Sequence, residues 1–273
     1  MKHILSIEQE LDVIELHKNK TPLKHILQKY DIKNTKTIYD IINRNGRPHL
    51  IANKRYNVND NYFENIDNEE KSYWLGFLYA DGNVRMKYNR SGELKLKLKK
   101  SDRNHIELFN KCLDSDYPIR DGIGKVIVED REYISEYSVV TISNTKLVKD
   151  LMKLGCVSNK TFKITLPNLR KDLMRHFIRG YFDGDGYIHK LKSSTNGFVI
   201  GILGNDGFIE SLQLYISNEL NSQKIYVYEK GKIKKLQIMN NEDCIKIKKY
   251  FYNNSTIYLK RKKDIFDILF SNS

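Results

Sequence analysis

The sequence predicts an α+β protein made of two related units, preceded by a small all-α module. Three observations lead there. The nine residues Trp74-Leu-Gly-Phe-Leu-Tyr-Ala-Asp-Gly82 return as Ile178-Arg-Gly-Tyr-Phe-Asp-Gly-Asp-Gly186, and the first glycines of the two, Gly76 and Gly180, stand 104 positions apart. Each pattern is followed by strand-like alternation and then by helical periodicity. The first fifty residues show helical periodicity only.

The N-terminal segment reads as three short helices. Ile7, Leu11, Ile14 and Leu16 give the first an apolar stripe, and Thr21-Pro22 supplies a cap and first-turn signal for the second, whose inner face is Leu23, Ile26, Leu27 and Tyr30. After the turn Asp31-Ile32-Lys33, Asn34 or Thr35 caps a third helix carrying Ile38, Ile41 and Ile42, which Asn45-Gly46 ends. Two short helices around a tight turn, with Lys36, Thr37, Asp40 and Arg44 facing outward on the second, match the helix-turn-helix pattern. The alternative is a three-helix packing module with no nucleic-acid role. Pro48 stops helical continuation, and Arg47, Lys54 and Arg55 make the following linker basic, suited to lie along a phosphate backbone. Asp60, Glu64, Asp67, Glu69 and Glu70 then lead into a helix whose positive end they suit. The expected domains are a module at 1–47, a basic linker at 48–67, a first half at 68–167 and a second at 168–273.

Within the halves, strands are expected over 84–100 and 187–203, helices over 103–113 and 206–220, and closing helices over 145–154 and 241–252. Each repeated pattern ends a helix. Gly76 with Ala80, and Gly180 with Gly184, recur four apart and so line one stripe, which lets two helix backbones approach closely. Trp74, Phe77, Leu78, Phe177, Tyr181 and Phe182 are left to face the cores. If the helices pack in parallel about a pseudo-twofold axis, Asp81 and Asp185 arrive together. Two adjacent carboxylates repel unless a cation lies between them. With the Ala80 and Gly184 carbonyls they make a hard oxygen set, for which Mg²⁺ (or Mn²⁺) is the expected cofactor and phosphodiester hydrolysis the matching chemistry.

These two motifs resemble the LAGLIDADG family of homing endonucleases, in the form where one chain carries both. The resemblance covers about three quarters of the chain, from Asn68 on. It implies a saddle of antiparallel strands from both halves seated on double-stranded DNA, with metal-dependent cleavage of both strands that leaves short 3′ overhangs. It assigns metal binding and catalysis to Asp81 and Asp185. The first acidic position of the motif is Asp183 in the second copy and Tyr79 in the first, a position the family varies. It also implies a catalytic basic residue near the end of each half, placed at Lys160 and Lys262, with Lys163, Lys260 and Arg261 as the neighbouring alternatives. A surface lysine cluster without a catalytic part is the plainer reading of these segments.

Charge placement supports a nucleic-acid partner. The totals, 47 Lys and Arg against 34 Asp and Glu for a net +13, are ambiguous, because abundant Lys, Asn, Ile and Tyr also follow from an AT-rich coding sequence. In 93–100 the pattern is sharper: Leu94, Leu96 and Leu98 alternate with Lys95, Lys97 and Lys99, and the segment 85–100, with Arg85 and Lys87, holds seven basic residues against one acidic. Tyr226, Tyr228, Lys230, Lys234, Lys235 and Gln237 form the corresponding mixed face expected in the second half, with side chains long enough to reach base edges.

The function expected is a site-specific DNA endonuclease with a long asymmetric target, serving intron or gene homing, monomeric in catalysis and needing no protein partner. The rival is a transcription regulator or an RNA maturase on the same scaffold. With no splicing-type Cys or Ser at its start and no His-Asn at its end, the chain is not expected to be an intact intein. No Walker-type phosphate loop and no zinc-like His spacing occurs. Cys112, Cys156 and Cys244, with no C-x-x-C pair, suggest reduced thiols, and the absence of a long apolar run or signal-peptide core suggests a cytoplasmic protein.

Overall fold

The computed structural model describes residues 5–44, 56–87, 91–128, 131–157, 164–190 and 198–269, and the chain divides into two units, Met1–Arg55 and Tyr56–Ser273. In the first unit Ser6 opens α1 (Ile7–Lys18) with a capping box: its hydroxyl accepts from the Gln9 N–H while the Gln9 side chain accepts from the Ser6 N–H. Helices α2 (Leu23–Lys29) and α3 (Thr35–Arg44) follow, and Asn34 caps α3 by accepting from the Thr37 N–H and hydroxyl. Leu5, Val13, Ile14, Ile26, Ile38, Ile41 and Ile42 form the unit's core.

Two local expectations change here. Ile7 and Leu11 are 77% and 55% exposed, and the inward face of α1 is Glu10, Val13 and Ile14 instead. Glu10, Val13 and Ile14 stand at i, i+3 and i+4 and share one face. Of the expected stripe Ile14 is buried, Leu11 lies about 60° beyond it, and Ile7, in line with Ile14, is exposed at the first residue of the helix. Pro22, not Thr21, holds the N-cap position of α2, and no side chain caps that helix.

The second unit repeats one order of elements. It runs α4 (Glu69–Asp81), β1 (Gly82–Met86), β2 (Gly92–Lys99), α5 (Arg103–Cys112), β3 (Arg120–Val128), β4 (Arg131–Ile142) and α6 (Thr145–Lys153). It then runs α7 (Lys171–Asp185), β5 (Gly186–Lys190), β6 (Phe198–Gly204), α8 (Asp206–Leu220), β7 (Ile225–Lys230), β8 (Ile233–Ile238) and α9 (Asn241–Tyr252), and closes on α10 (Lys260–Leu269). Asn side chains cap α4, α6, α8 and α9, each accepting from an N–H of the first turn. Each half builds a four-stranded antiparallel sheet, ordered β1-β2-β4-β3 in one and β5-β6-β8-β7 in the other. One continuous hydrophobic core, with Trp74, Phe77, Phe177 and Phe182 fully buried, runs through both halves. The predicted α+β class with two repeated antiparallel halves is the fold observed.

Two features depart from the sequence pattern. The linker expected over 48–67 ends sooner, since Tyr62 and Phe63 are buried in the large core and Tyr62 donates from its hydroxyl to Glu70 at 2.6 Å. Helix α10 was not foreseen, because Lys260-Arg-Lys-Lys263 puts four cations at the end of a helix that repels them. Tertiary packing overrides that cost. Phe266 is buried against Phe182 and Tyr252, with ring centroids 5.7 and 5.3 Å apart, and Lys260–Asp264 and Lys263–Asp267 pair at 2.6 Å.

Candidate active site

Helices α4 and α7 pack side by side, and glycine sets how closely. A Cβ on Gly76 would run into the Phe177 carbonyl, and one on Gly180 into the Tyr73 carbonyl and to 2.9 Å from the Phe77 nitrogen. Nearer the helix ends, a Cβ on Gly184 would collide with that of Ala80 and lie 3.2 Å from the Asp81 carboxylate. Equivalent residues of the two motifs therefore lie next to each other, and the helices run parallel. The expected stripe of small residues is the contact. Both helices stop at glycine, where Gly82 and Gly186 donate their N–H back to the equivalent carbonyls of Leu78 and Phe182.

That geometry delivers Asp81 and Asp185 to one place, at the negative ends of two helix dipoles. Lys262 joins them. Only 4% exposed, it turns its ammonium onto the end of α7 and donates to the Phe182 carbonyl at 2.7 Å, the Gly184 carbonyl at 3.4 Å and the Gly186 carbonyl. Burial lowers its pKa to about 8, Asp183 pulls it up, Arg261 pushes it down, and Asp81 and Asp185 pull it up. Burial instead raises the pKa of the Tyr181 hydroxyl, and the charges of Asp185 and Asp81 raise it further. Lys260 and Lys263 pair within α10, and Arg261 crosses to Asp102 of the first half at 2.8 Å, so of these four basic residues Lys262 alone reaches the α7 end. Lys160 and Lys163 lie outside the described residues. In the first half, the carbonyl equivalent to that of Phe182 belongs to Leu78, and the Cys156 thiol meets it at 3.6 Å.

The motif position that differs between the halves is structural in both. The Tyr79 hydroxyl donates to the Leu154 carbonyl. Asp183, fully buried, accepts from the Leu259 N–H at 2.6 Å, the Tyr73 hydroxyl at 2.8 Å and the Tyr252 hydroxyl at 3.1 Å. Burial drives its carboxyl pKa up against the pull of those donors. Beside it lies a network that the sequence reading missed. Arg179, 0% exposed, donates to Glu69 at 2.7 Å and to the carbonyls of Phe251 and Ile257 at 2.8 and 3.0 Å. The signal was a lone cation inside the apolar run 177–182. Glu69 suits a helix start as a first-turn acid, and through Arg179 it also fastens α4 to the second half.

From the helix ends the chain runs directly into the two sheets, through β1 and β5. On the first, Leu94, Leu96 and Leu98 point to the core while Lys95, Lys97 and Lys99 point away, as alternation requires. The register places Lys97 in a row with Val139 and Arg120, and Lys99 with Tyr137 and Gly122. The Lys97 ammonium stands 3.6 Å over the Tyr137 ring. Arg85 and Lys87 share this face, but both clasp Glu93, Arg85 at 2.6 Å.

On the second sheet, Tyr226, Tyr228, Lys235 and Gln237 share a face, and Lys234 does not. Lys234 points to the helix side, where it pairs with Glu210 of α8 at 2.6 Å, its side chain only 15% exposed. Period-two alternation forbids adjacent Lys234 and Lys235 from facing the same way, so the reading that put Lys234 against DNA is corrected. In the first unit, Lys36 is exposed, Thr37 is half-buried and bonded to Asn34, and Arg44 ends α3. Arg47, Lys54 and Arg55 lie outside the described residues.

Among the described residues, no group of three or more His, Cys, Asp or Glu side chains forms a metal cage, and no helix is long and apolar enough to cross a membrane. Cys112, Cys156 and Cys244 are not joined in disulfides. The donors at the helix ends still suit a hard divalent cation. Two carboxylates and the terminal carbonyls of two helices are all oxygen, and Lys262 supplies a single compensating charge.

Residues 172–250 match the family described as LAGLIDADG-like domain. A curated relative, the replication factor C small subunit of Methanocaldococcus jannaschii, is 28% identical over 192 residues, 65% of this chain, and the chain spans 9% of that relative's length. Among solved structures, the homing endonuclease I-WcaI bound to its DNA recognition sequence superposes with a TM-score of 0.51 at 15% identity, covering 80% of this chain and 93% of that one. Residues 172–250 thus form a LAGLIDADG-like domain, and the chain, with one motif helix in each half, has the fold of the LAGLIDADG homing endonucleases.

Proposed function

We propose that the protein is a site-specific DNA endonuclease that hydrolyses both strands of a long, asymmetric target in a metal-dependent reaction, acting as a monomer and serving homing. The observation behind this reading is the meeting of Asp81, Asp185 and Lys262 where two parallel helices end and run into the two sheets. Asp81 and Asp185 would hold Mg²⁺ or Mn²⁺ with the carbonyls of Ala80 and Gly184, and the ion would activate water and stabilise the leaving oxygen. Lys262, held by backbone carbonyls, presents a fixed positive charge to the phosphate being cut. Lys160 is proposed for the equivalent role in the first half.

The basic first sheet and aromatic second sheet would lie in successive stretches of major groove, and because the halves differ, so would the half-sites they read. The relative I-WcaI is solved on its DNA recognition sequence, which supports a duplex as the partner here. The N-terminal helices are proposed to extend the contact through Lys36 and Thr37.

Incubation with DNA from a candidate insertion locus tests the reading. Double-strand cleavage should require the divalent ion, stop with EDTA, and vanish in Asp81→Asn and in Asp185→Asn while binding persists. Tight, selective binding without nicking under any divalent ion would refute the nuclease and leave a regulator. Preference for structured intron RNA over duplex DNA would refute it in favour of a maturase.

A further inference from the structure

We propose that Tyr187 and Gln237 form an adenine-reading unit on the second sheet, fixing one position of its half-site as an A·T pair; this rests on the reading of the protein as a DNA endonuclease. Tyr187, Gly201, Gln237 and Tyr226 stand in one row across β5, β6, β8 and β7, on the face turned away from the core. Gly201 has no side chain, and the Tyr187 ring lies over it: a Cβ there would strike that ring. The ring also stacks with His189, the planes 14° apart and the centroids 5.6 Å. So braced, the Tyr187 hydroxyl accepts from the Gln237 side-chain amide at 2.7 Å.

A glutamine amide has two N–H donors and one oxygen acceptor. With one N–H held by Tyr187, Gln237 keeps its oxygen and one N–H side by side. That pair complements adenine in the major groove, whose N6 amino group donates and whose N7 accepts. Guanine presents two acceptors there, so the amide oxygen would face the O6 oxygen and be repelled. Tyr187 therefore does more than pack: it holds the Gln237 amide in place and removes rotamer freedom that binding would otherwise have to freeze.

The neighbourhood agrees. Leu203 shares this face, as do the exposed rings of Tyr226 and Tyr228, and apolar surface suits thymine methyl groups. The corresponding rows of the first sheet hold Lys95, Lys97, Lys99 and Arg120, which suit phosphate and guanine.

The test is selection of bound duplexes from a randomised pool, without divalent metal, by the full-length protein and by Tyr187→Phe and Gln237→Ala, followed by affinities for the selected site and its single-base variants. The wild-type pool should hold adenine at one position of one half-site. At that position Gln237→Ala should lose discrimination of about 5- to 150-fold, and Tyr187→Phe should weaken it at the same position while the salt dependence stays unchanged. Undiminished adenine preference in Tyr187→Phe would overturn the unit, as would relaxation spread evenly over the site. A wild type that selects no sequence at all would overturn the endonuclease reading together with this inference, whereas selective binding with the wrong response to Tyr187 overturns the inference alone.

Discussion

Lys262→Met isolates the charge buried at the end of α7. The substitution keeps an unbranched side chain of similar length and removes the ammonium that the carbonyls of Phe182, Gly184 and Gly186 hold. In the folded protein that ammonium has a pKa of about 8 against an ordinary 10.5, chiefly through burial. A lysine whose pKa is lowered by folding binds fewer protons folded than unfolded between those two values, so its contribution rises with pH there. Below about pH 8 both states are protonated and the cost of burying the charge is borne in full. Between pH 7 and 9.5 the wild type should gain about 2 kcal/mol relative to Lys262→Met, approaching about 3 kcal/mol above the unfolded pKa.

Denaturant unfolding of both proteins over that pH range measures the difference, and titrations common to both cancel. The carbonyls orphaned in the variant add an offset of one sign at every pH, so the slope carries the information. Parallel stability curves would show that Lys262 titrates normally and is not the buried, desolvated group described. The same titration should reach function, with cleavage falling as pH rises through about 8, where the fixed charge is lost.

Other perturbations probe the frame around it. Gly180→Val should cost about 3 kcal/mol or more, because its side chain meets the Tyr73 backbone rather than a flexible tip; a melting temperature unchanged from wild type would show that α4 and α7 are not in backbone contact. Glu69→Gln leaves the Arg179 guanidinium buried without its carboxylate and should cost about 3 kcal/mol. A loss under about 1 kcal/mol would mean that the Phe251 and Ile257 carbonyls suffice. Deleting residues 1–47 should shorten the DNase footprint and weaken binding while residual cleavage survives, and a footprint of full length would end the proposed role of the N-terminal helices.

What the sequence determined by itself was set by local period and by repetition. Alternating Leu94, Leu96 and Leu98 with Lys95, Lys97 and Lys99 allows only one way to face a core. Small residues four apart, Gly76 with Ala80 and Gly180 with Gly184, allow two helices to meet, and the repeat of that spacing 104 residues on made them meet each other. The closing helix expected over 241–252 is likewise where α9 forms. Tertiary structure decided the rest, because those features depend on partners distant in the chain. Lys234 and Lys235 are indistinguishable as neighbours until the register with β7 assigns their faces. Four cations opposing a helix dipole argue against α10, and only the packing of Phe266 on Phe182 and Tyr252 reverses that, carrying Lys262 to the α7 end. Glu69 looks like an ordinary helix-start acid, and its partner Arg179 lies 110 residues away. Where a residue's role is a pairing between the two halves, no window of sequence contains both partners.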